Sequence, residues 1–272
     1  MARKRTFLPT KWALPRLTQP PQVVKSAARI MELLEFIDDV SRPVNLAEVS
    51  EELDLPQSST SALLHTLTEL GYLYLDRTMK TYITTCRTAM LGLNASADVL
   101  RNGALISLLN ELHSETTEYV VLCTRLSCYA QYIYNKQPQN HDYGLLYNGL
   151  IQPLPVCGAG MALLSELPDD QIWGVLAPLY ADEGYRKSLL PMPELLIRLH
   201  EVRNNGYAYL KNTHHEGGTT LAMLLPVQDH GHPLAIGVAG LAAALDGEKD
   251  ALVIKMREAL ARYMSSATKE PN

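Results

Sequence analysis

A short run of hydrogen-bonding side chains, Gln57, Ser58, Ser59, Ser61 and His65, is interleaved with residues spaced for burial, Leu63, Leu64, Leu67 and Leu70. On a helix that spacing leaves the amide, the hydroxyls and the imidazole, with Ala62, on one outward face that is small and uncharged. Such a face can hydrogen-bond base edges in a DNA major groove about 12 Å wide, but it brings no cation to the phosphates. Arg77 and Lys80, in the segment Asp76-Arg77-Thr78-Met79-Lys80 between two β-prone runs, can supply that charge. Together these residues are the candidate DNA contacts.

A second constellation is Cys157-Gly158-Ala159-Gly160-Met161, at the start of a predicted helix over 158–167. Free N–H groups there can meet a carboxylate, a phosphate or the polar end of a ligand; close packing of the helix start is the competing reading. As a dinucleotide fingerprint the run fails, because Leu163 stands at the third glycine position. Cys157 at a helix start could be a thiol of lowered pKa, although core packing accounts for it more simply. His214-His215-Glu216 and His230-Gly231-His232 have no cysteines at ligand spacing and read as surface histidines, so neither metal nor cofactor is called for. No Gly-x-Ser-x-Gly elbow is present for a serine hydrolase.

The elements that must position these residues follow from period and punctuation. Asn45 is a good N-cap for a short helix bearing Leu46, Val49 and Leu53 and ending near Asp54. Leu55-Pro56 turns the chain, Pro56 suits the first position of the next helix, and Gly71 suits its C′ position. Tyr72 to Leu75 and Thr81 to Thr84 then form a hairpin, which gives the layout of a winged helix-turn-helix. A helix over 24–39 packs behind it. Helix-forming segments over 86–94 and 97–116 come next, and Leu100, Ala104, Leu108, Leu109 and Leu112 form an apolar stripe suited to linking the first domain to a second or to pairing with a second copy. Strands are predicted over 119–123, 129–134, 221–227 and 234–239, with helices over 169–176, 193–204 and 246–265. The fold class is therefore α+β with an antiparallel sheet.

Composition sets the limits. A chain of 272 residues can build two ordinary domains, and its 47% hydrophobic content suits globular packing. No apolar run approaches the roughly 18 residues of a membrane span. The net charge of -5 argues against a generally basic coat, yet Arg3, Lys4, Arg5, Lys11, Arg16 and Lys25 open the chain with no acid among them. Such an arm can follow phosphates or enter a minor groove. Pro9, Lys11, Pro15 and Arg16 interrupt any secretion signal, and Cys86, Cys123, Cys128 and Cys157 form no disulfide pattern, so a cytoplasmic location is expected.

The residues Leu55-Pro56-Gln57-Ser58-Ser59, Leu63-Leu64-His65-Thr66-Leu67 and Glu69-Leu70-Gly71-Tyr72-Leu73 resemble the IclR family of bacterial transcription regulators. The likeness continues in Pro153-Leu154-Pro155, Gly160, Ala162-Leu163-Leu164, Arg203, Gly206-Tyr207-Ala208 and Pro226-Val227, then Gly231, Pro233-Leu234-Ala235 and Gly240. Members often carry Lys at the place of Gln57 and Arg at the place of Ala62, so contacts those side chains make are absent here. The resemblance implies a basic leader over 1–21, a winged helix-turn-helix over 22–85, a linker helix over 86–97 and a GAF-like effector domain over 98–272. It implies a DNA operator, a small-molecule effector and a dimer or dimer of dimers as partners, with no membrane. It also points to Thr220, Ala222, Gly237 and Ala239 beside the helix start. With Tyr132, Tyr134, Cys157, Met161 and Met223 they would line a mostly apolar pocket suited to an aromatic or hydrophobic metabolite. An enzyme in the second domain, the first serving assembly, is the alternative.

Overall fold

The computed structural model describes residues 24–91, 103–138, 148–211, 217–229 and 231–264, which divide into two compact units, one before residue 92 and one after residue 102. The expected basic leader, the second half of the expected linker (residues 92–97), the start of the helix expected at Ala97, the segment His214-His215-Glu216 and His230 lie outside the described residues.

The first unit runs α1 (Lys25–Val40), β1 (Val44–Asn45), α2 (Leu46–Glu52), α3 (Gln57–Glu69), β2 (Leu73–Asp76), β3 (Thr81–Thr84) and α4 (Cys86–Met90). At the start of α2 the Asn45 side chain accepts the N–H groups of Ala47 and Glu48, and the Glu48 carboxylate accepts the Asn45 N–H. This reciprocal capping box satisfies donors that the first turn leaves free. The turn to α3 passes through Asp54 in the left-handed region at φ 49. Pro56 stands at the N-cap rather than at the first helical position the sequence suggests, because its ψ of 141 is extended. Leu33, Ile37, Val44, Val49, Leu64, Leu67 and Leu73 form the core.

The α3 stripe also differs from expectation at both ends. Thr60 is fully buried, with its hydroxyl donating to the Pro56 carbonyl, whereas Leu70 is 50% exposed. The reason lies in how α3 stops. Tyr72 N–H reaches back to the Leu67 carbonyl and Gly71 N–H to that of Thr68, both at 2.9 Å, with Gly71 at φ +79. That cap turns the chain away before Leu70 can reach the core.

The second unit runs α5 (Ala104–Thr116), β4 (Tyr119–Leu126), β5 (Tyr129–Lys136), β6 (Ile151–Pro153), a 3-10 turn (Leu154–Val156), α6 (Gly158–Ser165), α7 (Asp169–Ala181), α8 (Glu183–Arg186), α9 (Met192–Asn205), β7 (Ala208–Lys211), β8 (Gly218–Asp229), β9 (His232–Leu241), α10 (Ala242–Leu245) and α11 (Lys249–Met264). Its strands make one antiparallel sheet in the order β6-β5-β4-β9-β8-β7. Strand alternation gives each face its own core. Tyr119, Val121 and Cys123 of β4 pack towards α6, α7 and α9, while Val120 and Leu122 pack towards α5 and α11.

Two expectations are corrected by this arrangement. The described part of the stripe lies on α5 and is used inside the unit: Leu108, Leu109 and Leu112, with Leu105 beside them, are fully buried against the sheet and α11, and Ala104 packs on the same core, so these residues offer no free surface for pairing; Leu100 lies outside the described residues. In β5 the register slips, with Leu122 opposite Tyr134 but Cys123 opposite Tyr132, which leaves Ile133 as a bulge. Tyr132 therefore enters the α6 side and Tyr134 the α5 side.

Candidate DNA-reading face and effector site

On α3, Gln57, Ser58, Ser61, Ala62 and His65 are all exposed and follow one another at helical spacing; Ser59 is half-buried beside them. His65 faces Glu69 one turn on, at 4.0 Å. The face carries an amide, two hydroxyls and an imidazole, and no Lys or Arg. Cations come from the wing. Arg77 and Lys80 are exposed in the turn 77–80, which the Asp76 carboxylate fixes by accepting the Thr78 and Met79 N–H groups at 2.8 and 3.0 Å. Lys80 holds a left-handed φ of 54.

The end of α3 is fastened to α4. Thr88 Oγ1 donates to the Tyr72 carbonyl at 2.8 Å, Thr85 N–H donates to the same carbonyl at 3.0 Å, and the Arg87 guanidinium lies 4.8 Å from the centre of the Tyr72 ring. Sequence reasoning overlooked Thr85, although a Thr directly before Cys86-Arg87-Thr88 is an N-cap signal. Its hydroxyl accepts the Arg87 N–H at 3.2 Å.

In the second unit the helix start sits directly on the sheet. A Cβ at Gly158 would come within 2.8 Å of Thr220 Cγ2, and one at Gly160 within 2.2 Å of the Leu154 carbonyl oxygen. Ala222 and Gly237 are cross-strand partners on the facing side of β8 and β9, flanked by Ala235 and Ala239, and this small-residue surface lets α6 approach. Tyr132, Cys157, Gly158, Ala159, Gly160, Met161, Thr220, Ala222 and Gly237 thus share one buried region. Met223 does not. One residue on from Ala222, it points through the sheet into the core with α5 and α11, so it cannot line a pocket with Met161.

The polar groups of that region are satisfied largely among themselves. Tyr132 Oη donates to Gln152 Oε1 at 3.0 Å with both side chains buried, and Cys157 Sγ accepts the Gly160 N–H at 3.3 Å. Burial pushes the Cys157 thiol up to about 12 and raises Cys123 well above its ordinary value, so neither is a thiolate at neutral pH. Gln152 was not anticipated, because a lone Gln on a short strand carries no sequence signal. Arg203 proves to be a structural tie: its guanidinium donates to the carbonyls of Ser165 and Leu167 and to Asp169, at 3.0, 2.7 and 2.6 Å. That pairing, with His200, holds the Asp169 carboxyl below the usual range.

A winged helix-turn-helix with a polar outer face on α3, followed by an α+β unit built on a six-stranded antiparallel sheet, defines a DNA-binding transcription regulator. The IclR helix-turn-helix domain matches residues 26–77 and the bacterial transcriptional regulator IclR C-terminal domain matches residues 97–266. The chain belongs to the IclR family of transcriptional regulators. It is 23% identical to the HTH-type transcriptional repressor AllR of Escherichia coli K12 over 239 residues, 85% of this chain and 87% of that one. The AllR of Salmonella typhimurium LT2 is 23% identical over 225 residues, 81% of each. In fold the chain is similar to the IclR regulator of Alicyclobacillus acidocaldarius (TM-score 0.60, 22% identity, 91% of this chain and 100% of that one). The Thermotoga maritima IclR gives a TM-score of 0.59 at 17% identity over 88% and 98% of the two chains. Among the described residues no helix is long and apolar enough to cross a membrane.

Proposed function

We propose that this regulator reads a pseudo-palindromic operator as a homo-oligomer and is switched by a small aromatic or hydrophobic effector, without catalysing a reaction, in the cytoplasm. In this reading residues 1–21 are a basic leader, 22–85 the DNA-binding domain, 86–97 the linker helix and 98–272 the effector-binding domain. Gln57, Ser58, Ser59, Ser61 and His65 contact bases, and Arg77 and Lys80 contact phosphates. The effector meets the region of Tyr132, Cys157, Gly158, Ala159, Gly160, Met161, Thr220, Ala222 and Gly237. The observation that carries the switch is the fastening of α4 to the end of α3 through Thr85, Thr88 and Arg87. A displacement of the linker is then a displacement of the reading helix. Exposed Val24, Met31, Met90 and Leu91 in the first unit support pairing there, in place of the α5 stripe. Repression is the direction favoured by the AllR relatives, which are named as repressors.

The test is a thermal-shift screen of aromatic acids, phenols and small keto acids, followed by titration of each hit against a duplex selected by the protein from a random pool. Stabilisation by an aromatic compound that also shifts DNA affinity is the expected result. Stabilisation by small keto acids alone would remove the apolar reading of the site, and turnover of a hit without retention of DNA would replace the regulator reading with an enzyme.

A further inference from the structure

The wing carries apolar side chains where solvent should favour polar ones. Met79, at the tip, is 69% exposed; Tyr74 and Ile83, directly opposite each other across β2 and β3, are 61% and 38% exposed. None of the three belongs to the core of the first unit, which takes Leu73 and Tyr82 from the other side of the same hairpin. Exposed apolar groups at the tip and on the outer face of one hairpin make it a candidate contact surface. Two features identify its partner. Arg77 and Lys80 bracket Met79 in the turn, and the nearest acid, Asp76, is occupied by the turn's own N–H groups. A cation on either side of an apolar tip matches a groove whose rims are phosphates and whose floor is sugar and stacked bases.

We propose that Met79 is a wedge: with α3 in the major groove, the wing enters the neighbouring minor groove, Arg77 and Lys80 hold its phosphate rims, and Met79 presses into a base step and partly unstacks it. Methionine suits the task because its unbranched thioether adapts to an irregular slot. Steps that unstack easily, pyrimidine followed by purine, are then preferred at a position where no base edge is read. This gives the wing a share in specificity, and it rests on the assignment of α3 as the reading helix.

The experiment uses the full chain and a duplex it selects from a random-sequence pool, carrying 2-aminopurine in turn at each step flanking the α3 footprint and end dyes that report bending. Wild type should raise 2-aminopurine fluorescence at one step per half-site. Met79→Ala should lose that signal, reduce the bend and weaken binding about tenfold, with the salt slope kept. Met79→Leu should restore all three. Arg77→Ala and Lys80→Ala should each flatten the salt slope by about 0.9 while leaving the unstacking signal in place. An Ala variant with the wild-type thermal transition that still unstacks and bends the duplex would overturn the wedge, as would an Ala defect that Leu does not repair. Failure of the wild-type protein to select any duplex would remove the α3 assignment as well, a result distinct from either.

Discussion

Thr85 Oγ1 donates to the carbonyl of Gly71 at 2.6 Å, so the residue that caps α4 also closes the turn that ends α3. One hydroxyl thus serves two elements. Gly71 occupies a left-handed conformation that other residues resist, and its carbonyl points where no helix partner exists. Thr85 supplies the missing donor.

Replacing Thr85 with Val keeps the shape of the side chain and removes both bonds. The half-buried carbonyl left unpartnered should cost about 1–3 kcal/mol, read as a lower denaturation midpoint of the full chain. Under the proposed switch, the effector-dependent change in DNA affinity should shrink more than the affinity itself. A variant that loses stability but keeps its full response would show the tie to be structural only.

Gln57 opens the proposed reading face and has the reach for a two-point contact with a base. Gln57→Ala should relax preference at one operator position, at about 1–3 kcal/mol for a bidentate contact, when binding to single-base operator variants is compared. Unchanged preference at every position would move the reading face away from Gln57.

The capping box predicts a response to acid. A hydrogen bond from Arg42, then one from the Asn45 N–H, hold the Glu48 carboxyl below its ordinary value of 4.5. A group depressed in the folded state stabilises above its unfolded value and loses that contribution as pH falls through the folded value. The box should therefore act in full at neutral pH and fade on acidification below about 4.5. Glu48→Gln should flatten that limb of the stability profile, and Asn45→Ala should cost about 1 kcal/mol at pH 7. An acid limb of undiminished slope in Glu48→Gln would assign it to other carboxyls.

The same physics sorts the thiols. Cys86 is exposed, while Cys123, Cys128 and Cys157 are buried, and burial raises all three. Iodoacetamide at pH 8 should label Cys86 rapidly and the others only on the timescale of unfolding, as read by peptide mass spectrometry. Rapid labelling of Cys157 in folded protein would mean that the α6 start opens.

Gly160 tests how closely α6 sits on its support. An added methyl would meet the Leu154 backbone, which cannot rotate away, so Gly160→Ala should destabilise by about 1–3 kcal/mol in chemical denaturation. The same change at Gly174, where nothing lies within 4 Å, should not destabilise, and gives the control.

Much of this was legible in the chain, for identifiable reasons. Asn45 with Glu48, and Gly71 after a leucine-spaced run, are local signals whose chemistry is complete within a few residues, so α2 and α3 followed directly. The strands over 119–134 and 221–239 announced themselves by β-branched and aromatic runs. What stayed hidden depends on partners distant in sequence. β1 and β6 exist because β3 and β5 offer them an edge, and two- and three-residue strands have no periodicity to read. The assignment of Met161 and Met223 to one pocket failed because side-chain type says nothing about which face of a sheet a residue occupies. Alternation from Ala222 would have separated them.

The slip at Ile133 bears on how this chain can be compared with its relatives. An alignment column assumes that homologous positions look in the same direction, and a strand with one residue more or fewer breaks that assumption for everything beyond the insertion. Ligand contacts borrowed from a relative whose hairpin is regular would then place Tyr134 in the wrong compartment. Residues up to Tyr132 can be transferred by sequence, whereas those from Tyr134 to Lys136 should be transferred only after superposing the two sheets.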